Sequence, residues 1–341
     1  MSESNIEFSE FNDEWLESFT KSTVLAFKLQ CKLDIQVSSS FCRGDRTQIK
    51  PDIGAIIGIT SAQFRGSAGL WFPKSVFLHL VSHMFNETTE EINNENEDAA
   101  AEFLNIIFGY VKTPMNQLGY EVEIAIPSIV QGHEIEAKYF KGAFVQVLPF
   151  QTQAGEFYVE LLSEAVTPDE PPLPNIQESQ NPLSHEEQAM FFMSFIQGTS
   201  HTLKLQCGLE IKADPSFQKP PDYHIPFQIA STIGITSKRV NGSYVMKFTQ
   251  EVLLKLASKI FEEPITKYDS DIDDMVSELV NISLCITKRI LKQEGHIIEM
   301  SLPTVIRGSD LQFSAPKKQK VTIIPFQSEI GLFYVEIGIS S

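Results

Sequence analysis

A chain of 341 residues is long enough for two domains of ordinary size, each with its own core. Apolar residues make up 42% of the chain and charged residues 21%, which is typical of globular proteins rather than disordered ones. The net charge of −17, without a basic stripe, argues against nucleic-acid binding, because neutralisation of phosphates dominates that affinity.

The first half of the chain alternates between helical and strand-like spacing of its apolar residues. In chain order, the sequence predicts a helix over 12–30, strands over 32–37, 53–60 and 66–72, helices over 73–85 and 98–118, and strands near 121–127, 143–149 and 156–162. Gly119 directly follows the predicted helix over 98–118, at the C′ position where a left-handed conformation favours glycine. Pro114 should kink or weaken the last turns of that helix. The predicted class is α+β, with a long helix packed on an antiparallel-rich sheet.

The second half repeats the first after a shift of 176 residues, which indicates a duplication. Three identical segments show the register, namely KLQC at 28–31 and 204–207, IGITS at 57–61 and 233–237, and FYVE at 157–160 and 333–336. We therefore predict one domain over 1–163 and a second over 186–341. Between them, residues 164–185 are rich in proline and acidic residues, which predicts an exposed linker.

Several features predict a cytoplasmic protein that does not associate with membranes. No apolar run is long enough to span a bilayer. The initial segment MSESNIEFSEFNDEW is acidic and lacks the basic and apolar regions of a signal peptide. The four cysteines include no CxxC pair, so free thiols are expected rather than a disulfide scaffold or a zinc site.

One face of the long predicted helix carries polar residues at intervals of three and four, and the second half has the same stripe. The stripe consists of Asp98, Glu102, Asn105, Gly109 and Lys112 in the first half, and of Asp274, Glu278, Asn281, Cys285 and Lys288 in the second. An ordinary solvated helix face is the simplest interpretation. However, asparagine is a mediocre helix former, and it recurs at mid-helix in both halves while nearby solvated positions differ. This recurrence favours a functional constraint on the Glu–Asn pair.

The chain resembles the CheX branch of the CheC/CheX/FliY phosphatases of bacterial chemotaxis. The resemblance rests on the Asp-x-x-x-Glu-x-x-Asn helix, on the prolines that follow it (Pro127 and Pro303), and on the IGITSxxxxG segment that precedes it. These features occur in both halves. The resemblance implies two tandem CheX/CheC-like domains, each with a long helix packed on an antiparallel-rich sheet.

The resemblance also implies an activity, namely removal of the phosphoryl group from the aspartyl phosphate of a CheY-like receiver. Asn105 and Asn281 would position the attacking water, and Glu102 and Glu278 would pair with a lysine of the receiver. The receiver would supply its own Mg²⁺, so no metal site or cofactor of this chain is expected. Other residues of the stripe would contact the partner, namely Asp98, Gly109, Lys112, Asp274, Cys285 and Lys288. Family members of the CheX type are dimers of single domains, so the duplication predicts an internal pseudo-dimer.

The sequence leaves three questions open, which concern the activity, the second site and an acidic segment. A non-catalytic module that binds receivers or a signalling assembly would carry the same helix face. Cys285 stands where the family pattern has glycine, so the second site departs from that pattern at this position. The acidic segment YDSDIDDM at 268–275 resembles the start of a calcium-binding loop, but it lacks the required glycine and the final acidic residue, which favours an acidic helix start.

Overall fold

A computed structural model describes residues 13–38, 41–42, 50–140, 143–166, 182–220, 223–317 and 319–340. Most of the predicted linker, residues 167–181, lies outside the described residues, as do residues 1–12. None of the helices in the described ranges combines the length and the apolar character needed to cross a bilayer.

Each half contains three helices followed or separated by strands in the same order. The helices are α1 (Asp13–Cys31), α2 (Lys74–Phe85), α3 (Asp98–Gln117), α4 (His185–Cys207), α5 (Gln250–Ile260) and α6 (Ser270–Gln293). The strands of the first half are β1 (Gln36–Val37), β2 (Phe41–Cys42), β3 (Ile53–Thr60), β4 (Phe64–Phe72), β5 (Glu123–Ile124), β6 (Ser128–Lys138), β7 (Val145–Thr152) and β8 (Gly155–Ala165). Those of the second half are β9 (Lys212–Ala213), β10 (Phe217–Gln218), β11 (Ile229–Thr236), β12 (Asn241–Phe248), β13 (Glu299–Met300), β14 (Thr304–Ser314), β15 (Lys320–Ser328) and β16 (Gly331–Ser340). The predicted α+β class is confirmed.

The ends of the long helices follow from the sequence as predicted. Leu118 and Glu294 are the C-caps of α3 and α6, and the glycines that follow them, Gly119 and Gly295, have φ of 88° and 85°. These left-handed conformations favour glycine, which has no Cβ to clash. Pro114 does not shorten its helix, because α3 and α6 end at equivalent residues although Ile290 replaces the proline in α6.

The strands form one continuous antiparallel sheet that runs through both halves, in the order β1-β7-β8-β4-β3-β6-β14-β11-β12-β16-β15-β10. The β6–β14 pair joins the halves. Its register places Val130 opposite Phe313 and Ala137 opposite Ile306. In the repeat, Val130 is equivalent to Ile306 and Ala137 to Phe313, so each pair is equivalent to the other. The two halves are therefore related by an approximate two-fold axis through the middle of the β6–β14 pair.

The sequence-based prediction overlooked both strands of this junction. The middle of β6 is polar, with His133, Glu134 and Glu136 exposed. The pairing is irregular there, and Glu134 and its counterpart Asp310 both have φ of 51°. Such bulges interrupt the alternation of apolar and polar residues by which strands are found.

Three apolar clusters stabilise this arrangement. The helices α1 to α3 cover one face of the first half of the sheet, and α4 to α6 cover one face of the second half. The third cluster contains only residues of strands and their connections, and it draws on both halves. Successive side chains of a strand point to opposite faces of the sheet and so enter different clusters. In β3, Ala55 and Ile57 face the helices, whereas Ile56 contributes to the third cluster.

The repeated IGITS segments lie where β3 and β11 approach each other. A Cβ atom on Gly58 would lie 2.8 Å from the Cα atom of Gly234, so only glycine permits this separation. Two residues further along, the hydroxyl oxygens of Thr60 and Thr236 are 2.7 Å apart and share a buried hydrogen bond. The segment kept in both halves therefore holds the two halves together, which the sequence alone did not reveal.

Candidate functional site

The apolar faces of α3 and α6 fix the direction in which the predicted site residues point. Nine side chains of α3 are buried against the sheet and against α1: Ala99, Ala100, Ala101, Phe103, Leu104, Ile107, Phe108, Val111 and Met115. The stripe of polar residues lies on the opposite side of the helix. In α6, equivalent apolar residues are buried and the equivalent stripe is again on the outside. The structure therefore brings each predicted set of residues together on one helix face, one set in each half.

The Glu–Asn pairs are accessible in both halves. Glu102 and Glu278 are exposed, whereas Asn105 and Asn281 are half-buried. Within the described residues, none of these four side chains forms a hydrogen bond or an ion pair. The amides and carboxylates are thus available to water or to a partner, as a solvated face and a functional site would both require.

The two lysines of the stripe are engaged within their own halves. The Lys112 ammonium lies 2.9 Å from Glu123 Oε2, and the Lys288 ammonium lies 2.9 Å from Glu299 Oε2. Each pair ties the site helix to a short strand, β5 or β13, which pairs with the central strand β3 or β11. Their role in partner binding stays a prediction.

Asp98 and Asp274 differ in their position on the helix. Asp98 is the first residue of α3, and its carboxylate accepts a hydrogen bond from the backbone N–H of Lys317, a residue of the second half, at 3.3 Å. Partial burial raises the pKa of Asp98, against the opposing effect of the Lys317 N–H and ammonium. Asp274 lies more than one turn inside α6, because that helix begins at Ser270 with Asp269 as its cap. The segment that resembled a calcium-binding loop is therefore an acidic helix start.

Gly109 and Cys285 occupy the same place one turn beyond the asparagines, and both are exposed. A Cβ atom added to Gly109 would have no heavy atom within 4 Å, so this position of the first half has room for a side chain. In the second half that space holds the Cys285 thiol. Partial burial raises the pKa of this thiol, against the opposing charges of Arg65 and Lys288.

Arg65 is a neighbour of the second site that sequence reasoning missed. It belongs to β4 of the first half, yet its charge acts on the Cys285 thiol in α6. No spacing along the chain connects these two residues, which are brought together only by the packing of the two halves. Its equivalent in the second half is Asn241, so the repeat offered no sign of a shared function either.

The model of the family described as "Chemotaxis phosphatase CheX" matches twice, over residues 53–151 and again over residues 229–327. The chain belongs to the CheX family. Each match contains one of the two site helices with its Glu–Asn pair. No curated protein matches the sequence.

Solved structures of CheX and CheC-like proteins are similar to one half of this chain. A CheC-like superfamily protein from Shewanella sp. PV-4 is 24% identical, with a TM-score of 0.42, over 45% of this chain and 98% of that protein. The chemotaxis protein CheX from Vibrio vulnificus is 25% identical, with a TM-score of 0.42, over 44% of this chain and 99% of that protein. A complex of CheX with CheY, BeF3 and Mg from Borrelia burgdorferi matches at 21% identity, with a TM-score of 0.36, over 44% of this chain and 98% of that protein.

Proposed function

We propose that this CheX-family protein is a phosphatase that hydrolyses the aspartyl phosphate of a CheY-like receiver domain, with one site on α3 and a second on α6. The accessible Glu–Asn pair on each helix, within each of the two regions that match the family, is the observation that carries the proposal. A CheY-type partner is the partner named for the B. burgdorferi CheX complex, and we extend that class of partner to this chain.

The chemistry requires little more than the placement of a water molecule. An acyl phosphate is already activated, so catalysis consists of holding the water in line with the phosphorus atom. The water attacks phosphorus, the bond between phosphorus and the aspartyl oxygen breaks, and the aspartate carboxylate leaves. The carboxamides of Asn105 and Asn281 can donate to and accept from that water without a charge that would repel the phosphoryl oxygens.

Glu102 and Glu278 have a different role in this proposal. They lie one turn before the asparagines, and each carboxylate pairs with a lysine at the active site of the receiver, which anchors the helix across the interface. The Mg²⁺ of the reaction stays on the receiver, where it neutralises the phosphoryl oxygens. The exposed carboxylates would otherwise form no ion pair within the described part of the chain.

A non-catalytic module that binds receivers is the second candidate function. Its basis is the same accessible Glu–Asn face, which a docking surface would present as well as an active site. The two candidates differ in one measurable respect. A phosphatase shortens the lifetime of the receiver's phosphoaspartate, whereas a binding module leaves that lifetime unchanged or lengthens it.

We also propose that the chain acts as an internal pseudo-dimer, in which the β6–β14 pair takes the place of an interface between two subunits. The approximate two-fold axis through that pair supports this arrangement. We expect a monomer of 38.4 kDa in solution by light scattering. An obligate dimer of the whole chain would contradict it.

The function is tested by the rate of phosphate release from a phosphorylated CheY-type receiver. Asn105→Ala and Asn281→Ala should each remove one site, and the double variant should lose about 100-fold in rate, because a displaced water costs this much. Thr113→Ala on the outer face of α3 is a matched control, which should leave the rate unchanged. Unchanged release by the double variant would rule out the phosphatase, and receiver binding without faster decay would favour the binding module.

A further inference from the structure

The two site helices differ most in charge on the turns that follow the Glu–Asn pair. Residues 285–289 of α6 read CITKR, whereas the equivalent residues 109–113 of α3 read GYVKT. Lys288 and Lys112 occupy equivalent positions, but only α6 adds Arg289, which is exposed. Within the described residues Arg289 forms no ion pair. The second site therefore has an uncompensated cation about two turns from Asn281.

A third cation reaches the second site from the opposite half. Arg65 lies opposite Thr60 in the β3–β4 pair, and the Thr60 hydroxyl lies 2.7 Å from that of Thr236 in the second half. Thr236 in turn lies opposite Glu299, the ion-pair partner of Lys288. The charges of Arg65, Lys288 and Arg289 all act to lower the pKa of the Cys285 thiol. The Arg65 side chain retains 35% of its exposure, and its Nη2 lies 3.3 Å from Glu164 Oε2 on the neighbouring strand. Arg65 is therefore close to the second site while still accessible to a partner.

At the first site, the positions equivalent to Arg65 and Arg289 carry no charge. The strand positions that correspond to Arg65 and Glu164 are Asn241 and Ser340, which lie opposite each other in the β12–β16 pair just as Arg65 and Glu164 do in the β4–β8 pair. Thr113 stands in the place of Arg289. The approximate two-fold symmetry thus relates two sites that share their Glu–Asn pairs but differ in the charge beside them.

Two of these three cations are paired with acidic groups, whereas Arg289 has no ion-pair partner among the described residues. Glu164 pairs with Arg65, and Glu299 pairs with Lys288 at 2.9 Å. Glu278 opposes the cations in its effect on the Cys285 thiol, and it is the carboxylate assigned above to the receiver's lysine. An exposed positive charge consequently remains on the side of the site that lies towards the C-terminus of α6.

We propose that Arg65, Lys288 and Arg289, here termed the basic cluster, make the second site selective for receivers with acidic side chains beside their phosphoaspartate. This proposal rests on the proposed function and adds that the two sites of one chain differ in how strongly they select receivers by charge. Charges at the rim of an interface govern the rate of encounter and the choice of partner, and they suppress partners of like charge. The first site, without the cluster, does not discriminate on this basis.

The test compares the two sites within one chain. Asn105→Ala leaves only the second site, and Asn281→Ala leaves only the first. Into each background we would introduce Arg65→Asn together with Arg289→Thr, which are the residues that the first half carries at these positions. The substrate is the phosphorylated CheY-type receiver that the wild-type chain hydrolyses fastest, and the readouts are KM and kcat at low and high salt.

With only the second site intact, we expect KM to rise several-fold at low salt while kcat stays constant. The difference should shrink at about 1 M salt, where charges are screened within about 3 Å. With only the first site intact, KM should not change. The converse substitutions Asn241→Arg and Thr113→Arg should lower KM at the first site for the same receiver.

An equal change of KM in both backgrounds, or no change in either, would overturn the proposal. Thermal unfolding of each variant shows whether loss of the Arg65–Glu164 pair has altered folding instead. If no background hydrolyses the receiver, the proposed function has failed, and binding of the receiver loaded with BeF3 and Mg²⁺ then tests the basic cluster separately. Binding that is equally tight with and without the basic cluster would refute the selectivity.

Discussion

The two halves keep a buried glutamate at the same place in the sheet but surround it differently. In the first half, Glu160 accepts hydrogen bonds from Trp71 Nε1 at 3.0 Å and from the Tyr139 hydroxyl at 2.8 Å. In the second half, Glu336 lies 2.6 Å from the Lys247 ammonium and 3.3 Å from that of Lys219. Duplication has thus preserved the acid, and Lys247 stands where the first half has Trp71.

At this position the second half therefore contributes a cation, Lys247, where the first half contributes the neutral indole of Trp71. Burial works against the charged form of Glu336, yet the two lysines hold its pKa below the usual value. Burial also lowers the pKa of Lys247 to about 8, although Glu336 opposes that shift. The same contrast holds at the two sites, where the basic cluster flanks only the second. The halves share a fold and a proposed chemistry, and they differ in electrostatics.

The largest expected effect concerns this buried pair. Lys247→Ala should lower the free energy of unfolding by about 3–5 kcal/mol, because it leaves a buried carboxylate without its closest cation. Trp71→Phe, the matched change in the first half, should cost only about 1–3 kcal/mol, because one neutral donor to Glu160 is lost. Denaturant unfolding of both variants measures the difference. Equal losses would remove the contrast between the halves.

A smaller effect on stability is expected when glycine is replaced by alanine at the junction between the halves, at Gly58, or at the first site, at Gly109. Gly58→Ala should destabilise the protein by about 1–3 kcal/mol, because its Cβ would overlap Ser301 and Gly234 across the halves. Gly109→Ala should stabilise it by up to about 1 kcal/mol, because alanine is the better helix former and has open space there. Thermal unfolding measures both changes. A stabilising Gly58→Ala would show that β3 and β11 do not approach closely.

The smallest expected effect is a dependence of stability on pH that arises from Glu187 in the first turn of α4. Hydrogen bonds from Arg239, at 2.8 and 3.0 Å, and from the Ser184 N–H lower the pKa of Glu187 to about 2. Because the folded pKa lies below the unfolded value, this stabilisation is complete above about pH 4.5 and is lost as the pH falls towards 2. The first half has Gln63 in place of Arg239.

The measurement for this third prediction is the melting temperature of the wild type and of Glu187→Gln between pH 7 and pH 3. The wild type should melt higher at pH 7, and the gap in melting temperature should narrow below about pH 4.5, because Glu187 then becomes protonated in the unfolded wild-type chain while it stays charged in the folded one. Gln63→Ala is the control in the first half, and its gap from the wild type should not vary with pH. A constant gap for Glu187→Gln would contradict the assignment of the low pKa.

The sequence was sufficient to predict the helices that carry the site, because their signals are local. The spacing of apolar residues in α3, such as Phe103 and Ile107, specifies its buried face, and Gly119 marks its end. The same spacing predicted that Glu102 and Asn105 share a face, since residues three or four apart on a helix are neighbours. The equivalent spacing in α6 led to the same prediction for Glu278 and Asn281.

The junction between the halves could not be predicted in this way. The strands β6 and β14 pair with each other across the duplication, and bulges at Glu134 and Asp310 interrupt their pattern. The sequence shows Gly58 only as part of a repeated motif, and its close packing could not be predicted because its neighbour Gly234 lies in the other half. Arg65 was missed for the same reason. Contacts between residues far apart in the chain depend on packing, which the local pattern does not record.

The most direct test of the central account is the lifetime of a receiver's phosphoaspartate with each asparagine intact or removed. We predict that the rates of the two single variants, Asn105→Ala and Asn281→Ala, add up to the rate of the wild type, and that the double variant leaves the receiver to decay at its own slow rate. Binding of the receiver loaded with BeF3 and Mg²⁺ should persist in all of them. A double variant that still shortens the lifetime as the wild type does would contradict the account.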